Sequence, residues 1–287
     1  MNASTPTFGP GGNGDWFYAE GNKSTTQSPA WLKEKQLDAF EYEAGNGISA
    51  GEASLRTVGE QARLHGILLS LHAPYYISLS GADEEKRLKS ITYIQKSLWA
   101  AELLGADTIV IHSGSAGKLT REEAMRLSCD TLSRVAEAVG DAPCARLGIE
   151  TMGKVNQLGT LDEVLALCEV DPRITPCIDF GHLYARSCGV QFADATAAAD
   201  YAALLDTLAA RLGDDRAVHF HAHFSRIAYT KGGEKCHLTF ADTAFGPPHA
   251  PLLALLKERH LAPTIICESA GTQAEDAAAL AQGYAAL

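Results

Sequence analysis

The chain has 287 residues, 46% of them apolar, enough to bury the core of one barrel domain, a class that commonly runs to about 250 residues or more. A formal net charge of −11 excludes a simple electrostatic grip on nucleic-acid phosphates, which comes from Lys and Arg, unless bound cations reverse the field locally. Seven cysteines with no CxxC pair exclude a disulfide framework, and neither an apolar run of about 18 residues nor a basic-apolar leader is present, so a reduced, cytoplasmic monomer without a membrane partner is expected.

Short apolar runs alternate with longer helical patterns. The expected strands, in chain order, are residues 6–8, 39–43, 66–72, 107–112, 146–150, 176–179, 217–223 and 264–268, each short and mostly apolar, as strands buried on both faces are. Helical patterns rich in Ala, Leu, Glu, Lys and Arg fill residues 53–65, 83–104, 120–139, 161–170, 195–212, 251–260 and 273–284. Thr120 followed by Glu123, and Thr160 followed by Glu163, supply N-terminal capping signals. Between the first two strands the glycine-rich stretch 9–14 reads as a flexible rim loop that precedes no clear helix, and Trp16, Phe17, Tyr18 and Trp31 read as packing for a long first connection. The stretch 112–118 has glycines and a lysine but not the spacing of a phosphate-binding loop. The simplest total is eight strands and, counting a weakly marked first helix in the long first connection, eight helices: an α/β chain forming a single (β/α)8 TIM barrel over residues 1–287, with its active site at the C-terminal rim of the strands.

Six candidate metal ligands end those strands or lie just past them: His72, His112, Glu150, Asp179, His223 and Glu268. In a parallel barrel every strand ends at one rim, so ligands 29 to 45 residues apart converge in space. A lone carboxylate there, such as Glu150 or Glu268, needs a charge partner, and a metal supplies one. Asp179 and His182 form an Asp-x-x-His pair across Phe180-Gly181, able to serve neighbouring ions. His219, His221 and His223 are expected to alternate along one strand and share a face; of these only His223 reaches the rim, His219 reads as structural, and His221 stays open. Imidazole with carboxylate and no thiolate suits Zn2+, with Mn2+ or iron sharing the preference, in a catalytic site. The ligands outnumber the needs of one ion, so two or three ions are expected, with a carboxylate bridging two of them. Lys118, Arg186, Arg226 and Lys231 are available for a local positive patch.

Taken in order, His72, His112, Glu150, Asp179-x-x-His182, His223, His237 and Glu268 resemble the endonuclease IV family of abasic-site endonucleases, within the xylose-isomerase-like barrels, over most of the chain. The segment 71–79, Leu-His-Ala-Pro-Tyr-Tyr-Ile-Ser-Leu, resembles that family's first-histidine motif. The resemblance implies one zinc on His72, His112 and Glu150, a second on Glu150, Asp179, His223 and Glu268, and a third on His182 and His237. Where the family completes the third site with Asp-x-His, this chain has Lys235-Cys236-His237, and Glu234 is the available substitute. The implied activity is hydrolysis of damaged double-stranded DNA 5' to an abasic site in base-excision repair, with Glu150 and Glu268 catalytic and Tyr75 and Tyr76 as DNA wedges. The loop 44–49 lacks the arginine that the family inserts there. Glu150, Asp179, His223 and Glu268 alone also fit the single-ion layout of sugar or sugar-phosphate isomerases and epimerases of the same barrel group. The additional histidines favour the nuclease.

Overall fold

The computed structural model describes residues 4–140 and 143–287. Its principal sheet has eight parallel strands: β1 (Thr7–Pro10), β2 (Ala39–Glu43), β3 (Leu68–His72), β4 (Thr108–His112), β5 (Arg146–Glu150), β6 (Ile174–Asp179), β7 (His221–Phe224) and β10 (Thr264–Cys267). They neighbour one another in the order β1-β10-β7-β6-β5-β4-β3-β2. The ring nearly closes where β1 meets β2: Gly11 bridges Glu41, and Asp38 donates its N–H to Phe8 O at 3.2 Å. Gly9 makes that seam possible, since a Cβ there would stand 1.7 Å from Ala39 O. Helices follow the strands and cover the outside, burying one continuous core of Leu, Ile, Val and aromatic side chains. Thr160 and Glu163 make the expected reciprocal capping box, and Thr120 accepts from Glu123 N.

Two local expectations are corrected and one further element appears. Residues 217–223 are not one strand: Asp214–Val218 is a short helix, and β7 starts at His221, where pairing with Cys177 of β6 begins. The approach is held from below instead, with Arg216 donating to the carbonyls of Cys168 and Ile174. The glycine-rich stretch 9–14 is tied down rather than loose, with Gly11 N donating to Cys267 O at 2.9 Å and Gly12 N to Glu41 O at 3.0 Å, and a short helix, Asp15–Ala19, does follow it. Finally, an antiparallel hairpin of β8 (Arg226–Thr230) and β9 (Gly233–Leu238), unread in the sequence, rises from the rim after β7. Phe17 and Trp31 pack into the core as expected, and Glu20 ties the indole N–H groups of Trp16 and Trp31 together at 2.7 Å each. No helix among the described residues is long and apolar enough to cross a membrane.

Candidate metal centre

Strand register assembles the ligand layer. Glu43 pairs with His72, His112 with Glu150, and Asp179 with His223, so donors on six strands end at one level. Glu150 is 1% exposed and stands at the middle. Its Oε2 lies 3.5 Å from His72 Nε2 and 3.3 Å from His112 Nε2, while Oε1 lies 3.2 Å from His223 Nδ1 and 3.3 Å from His182 Nδ1. Asp179 caps the helix Phe180–Arg186 by accepting from His182 N, which places His182 one turn beyond the strand end.

Three groups of donors meet at the rim: His72, His112 and Glu150; Glu150, Asp179, His223 and Glu268; and His182, Glu234 and His237, each with its ligand atoms within 4.8 Å of one another; two more, Glu41 with Glu43 and Glu268, and Cys177 with His221 and His223, adjoin them. The third depends on the hairpin. Gly233, at φ 88°, folds against Gly153, where a Cβ would come within 2.2 Å of Gly153 O, and this close approach carries Glu234 Oε2 to 3.5 Å from His182 Nε2. Glu234, and not Lys235, is thus the carboxylate that joins His182 and His237.

Hydrogen bonds set which ring nitrogen faces the centre. Nδ1 of His72 donates to Ala73 O at 2.9 Å, Nδ1 of His182 donates to Thr151 O at 2.9 Å, and Nδ1 of His237 meets Ser225 Oγ at 2.9 Å. For His72 and His182 this leaves Nε2 towards Glu150 and Glu234 respectively, the arrangement that orients metal-binding imidazoles. Two buried carboxylate oxygens in the same layer, Glu150 Oε2 and Asp179 Oδ2, have no hydrogen-bond donor among the described residues. Such oxygens are costly unless a cation meets them. The donor set thus fits divalent ions of the zinc, manganese or iron type.

Charge coupling in the layer is strong. Burial disfavours a charged His72, but Glu150 and Glu43 more than offset it and push the ring up to about 10. His182 behaves likewise, raised to about 10 against its burial by Asp179 and Glu150. Burial dominates at His112, pulled down to about 4, and at Asp179, pushed up to about 6. Glu268 stays ionised against its burial because His223 is beside it, at about 2. Protons and divalent ions are alternative counter-charges for these carboxylates.

Above the layer lies a cavity of about 380 Å³ lined by His72, His112, Glu150, His182, Glu234 and Glu268, among others. A second lobe of about 540 Å³ runs past Glu43, Gly45 and Gln273, and Tyr75, His237 and Glu268 border both. Tyr75 is 52% exposed and packs on His72 and His112, with ring centroids 5.0 and 5.2 Å away. Tyr76 turns away to Tyr93, 4.7 Å between centroids, and lines neither lobe. Two expected surface cations are otherwise engaged: Arg186 donates to the carbonyls of Met152, Lys154, Val155 and Gln157, and Arg226 to those of Asp242 and Phe245. Lys118 and Lys231 are exposed. His219 lies outside the strand beside Asp215, and His221 is buried against Glu41. Glu41 and Glu43 were not singled out in the sequence, although two carboxylates alternating with Phe40 and Tyr42 on a short strand already demand a partner on the barrel's inner face.

The profile of the family described as xylose isomerase-like TIM barrel matches residues 29–287. The chain is 33% identical over 242 residues to an uncharacterized protein of Methanocaldococcus jannaschii, covering 83% of this chain and 84% of that one. It is 28% identical over 199 residues to endonuclease 4 of Thermus thermophilus, covering 69% and 64% respectively, and matches to other endonuclease 4 relatives span as little as 40% of their length. Among solved structures, endonuclease IV from Thermus thermophilus superposes with a TM-score of 0.68 at 21% identity over 98% of both chains. A D-tagatose 3-epimerase-like protein does so with 0.68 at 18% identity over 96% of this chain and 94% of that one. On the strength of the profile match and these relatives, the chain belongs to the xylose isomerase-like TIM barrel family, in which endonuclease 4 proteins are among its homologues.

Proposed function

We propose that this protein is a zinc-dependent endonuclease of the endonuclease IV type, hydrolysing DNA 5' to abasic sites in base-excision repair. The observation that carries the reading is the three adjoining donor groups, two of which share Glu150. A single-ion enzyme needs only Glu150, Asp179, His223 and Glu268 and has no use for His72, His112, His182, Glu234 and His237 beside them.

Two or three divalent ions held by these groups would supply an activated water near neutral pH and would neutralise charge on the phosphodiester and on the leaving 3' oxygen. They would also reverse the field of a chain with net charge −11 where a polyanion must enter. Glu268, 16% exposed by its side chain and held ionised by His223, faces the cavity and takes the proton of the attacking water. Glu150 spans the first two groups and fixes their separation. Tyr75 stands at the mouth, where its ring can fill the gap left by an extruded nucleotide. Tyr76, packed on Tyr93, stands outside the cavity.

A second reading, a sugar epimerase acting at the second donor group alone, draws support from the equal structural likeness to the epimerase-like protein and from the loop 44–49, which carries no arginine for DNA. One assay separates them: metal-loaded protein against a labelled duplex with one tetrahydrofuran abasic analogue, which cannot undergo β-elimination, with Glu268→Gln as control. The expected result is a metal-dependent cut 5' to the lesion that the control lacks. An intact duplex with verified metal content would reject the nuclease in favour of the sugar enzyme.

A further inference from the structure

Below the ligand layer the alternation of β2, β3 and β7 turns Glu41, Ser70 and His221 into the barrel beside His223, and all four are buried. Glu41 is 0% exposed. Its Oε2 accepts the Ser70 hydroxyl at 2.7 Å and stands 2.9 Å from His221 Nε2. Its Oε1 stands 2.9 Å from His223 Nε2, on a bent line, so that contact acts through charge more than through alignment.

We propose that Glu41 is a positioning residue for the metal centre: it favours His223 with its proton on Nε2, which releases the lone pair of Nδ1 to an ion beside Glu150 and Glu268. Without an ion, Nδ1 of His223 is hydrogen-bonded to Glu150 Oε1 at 3.2 Å; once an ion takes that nitrogen, the ring's one remaining proton is on Nε2, 2.9 Å from Glu41 Oε1, where a carboxylate favours it. The other nitrogen, Nδ1, lies 3.2 Å from Glu150 Oε1 and 3.2 Å from Glu268 Oε2, at the heart of the second donor group. Ser70 and His221 in turn keep Glu41 ionised and fixed, since a buried carboxylate survives only when its oxygens are met. The role differs from that of His72 and His237, whose Nδ1 atoms meet neutral oxygens. A carboxylate there makes the imidazole a better ligand as well as an oriented one.

The proposal rests on the metal-centre reading but not on the substrate, and its test needs no DNA. Zinc-loaded wild type and Glu41→Gln, which nearly conserves volume, would be compared by the rate of zinc loss to a coloured chelator and by 15N-histidine NMR of the ring tautomers. The expected outcome is a loss of zinc affinity of roughly 10- to 100-fold, with one histidine losing its Nε2–H signature and the unfolding temperature of the chelated proteins unchanged. Wild-type zinc retention with unchanged tautomers in Glu41→Gln would overturn it. So would sulfur ligation in the zinc absorption spectrum, which would put an ion on Cys177 and on Nε2 of His223. If Glu41→Gln does not fold, Ser70→Ala decides by the same readings, faster zinc loss supporting and wild-type loss overturning. A wild type that retains no ion would defeat the metal-centre reading itself, and the tautomer spectrum would still report on Glu41.

Discussion

Replacing Glu150 with glutamine tests the shared bridge most directly. The side chain is buried, lies within 3.2–3.5 Å of four histidine nitrogens, and belongs to two of the three donor groups. Glutamine keeps the volume but removes the charge and puts an N–H where an ion has to sit. The first group is left with two imidazoles, and the second loses one of its three carboxylates. Glu150→Gln is therefore expected to cost two ions per chain, whereas Glu234→Gln, which touches only the third group, costs at most one. Each catalytic ion stabilises transition-state charge by several kcal/mol, so incision by Glu150→Gln should fall at least about 10³-fold, or about 4 kcal/mol. Elemental analysis of desalted protein gives the ion count, and the tetrahydrofuran duplex gives the rate. Glu150→Gln retaining the wild-type ion count, or losing no more than Glu234→Gln, would refute the bridging role.

Metal binding should tighten as pH rises. His72 and His182, lifted to about 10, carry protons below that pH, and those protons have to leave when an ion arrives, so chelator competition should show affinity climbing from pH 6 to 8; a flat profile would contradict the assignment. Gly9→Ala should open the seam between β1 and β2, because the added methyl meets Ala39 O, and should cost about 3 kcal/mol or more in urea unfolding; a variant within about 0.5 kcal/mol of wild type would show the seam to be adaptable. Arg186→Ala strips donors from four carbonyls of the 152–157 loop and should destabilise the protein by about 2 kcal/mol, with proteolysis newly directed at that loop; an uncut loop would argue that Arg121, which also donates to Val155 and Gln157, suffices to hold it.

The periodicity of the chain determined a good deal unaided. Short apolar runs separated by helical patterns dictate a parallel sheet, because a strand that must cross over before it pairs again is buried on both faces. A parallel barrel then obliges His72, His112, Glu150, Asp179, His223 and Glu268 to meet at one rim. Tertiary structure alone decided the rest. In the hairpin that delivers Glu234 and His237, β9 is polar and starts on a glycine, with no apolar alternation to announce it; its position comes from docking on Gly153. Residues 217–220 have the composition of a strand, yet only His221 onward finds a partner in β6, and pairing is a property of the neighbour as much as of the segment. Arg186 and Arg226 looked available to phosphates and are spent on backbone carbonyls, which no local pattern reveals. Glu41 shows the difference most plainly. A carboxylate on an apolar strand signals that something must neutralise it, but that its partners are His221 and His223, some 180 residues away, follows only from closure of the ring, where strands remote in sequence share one interior.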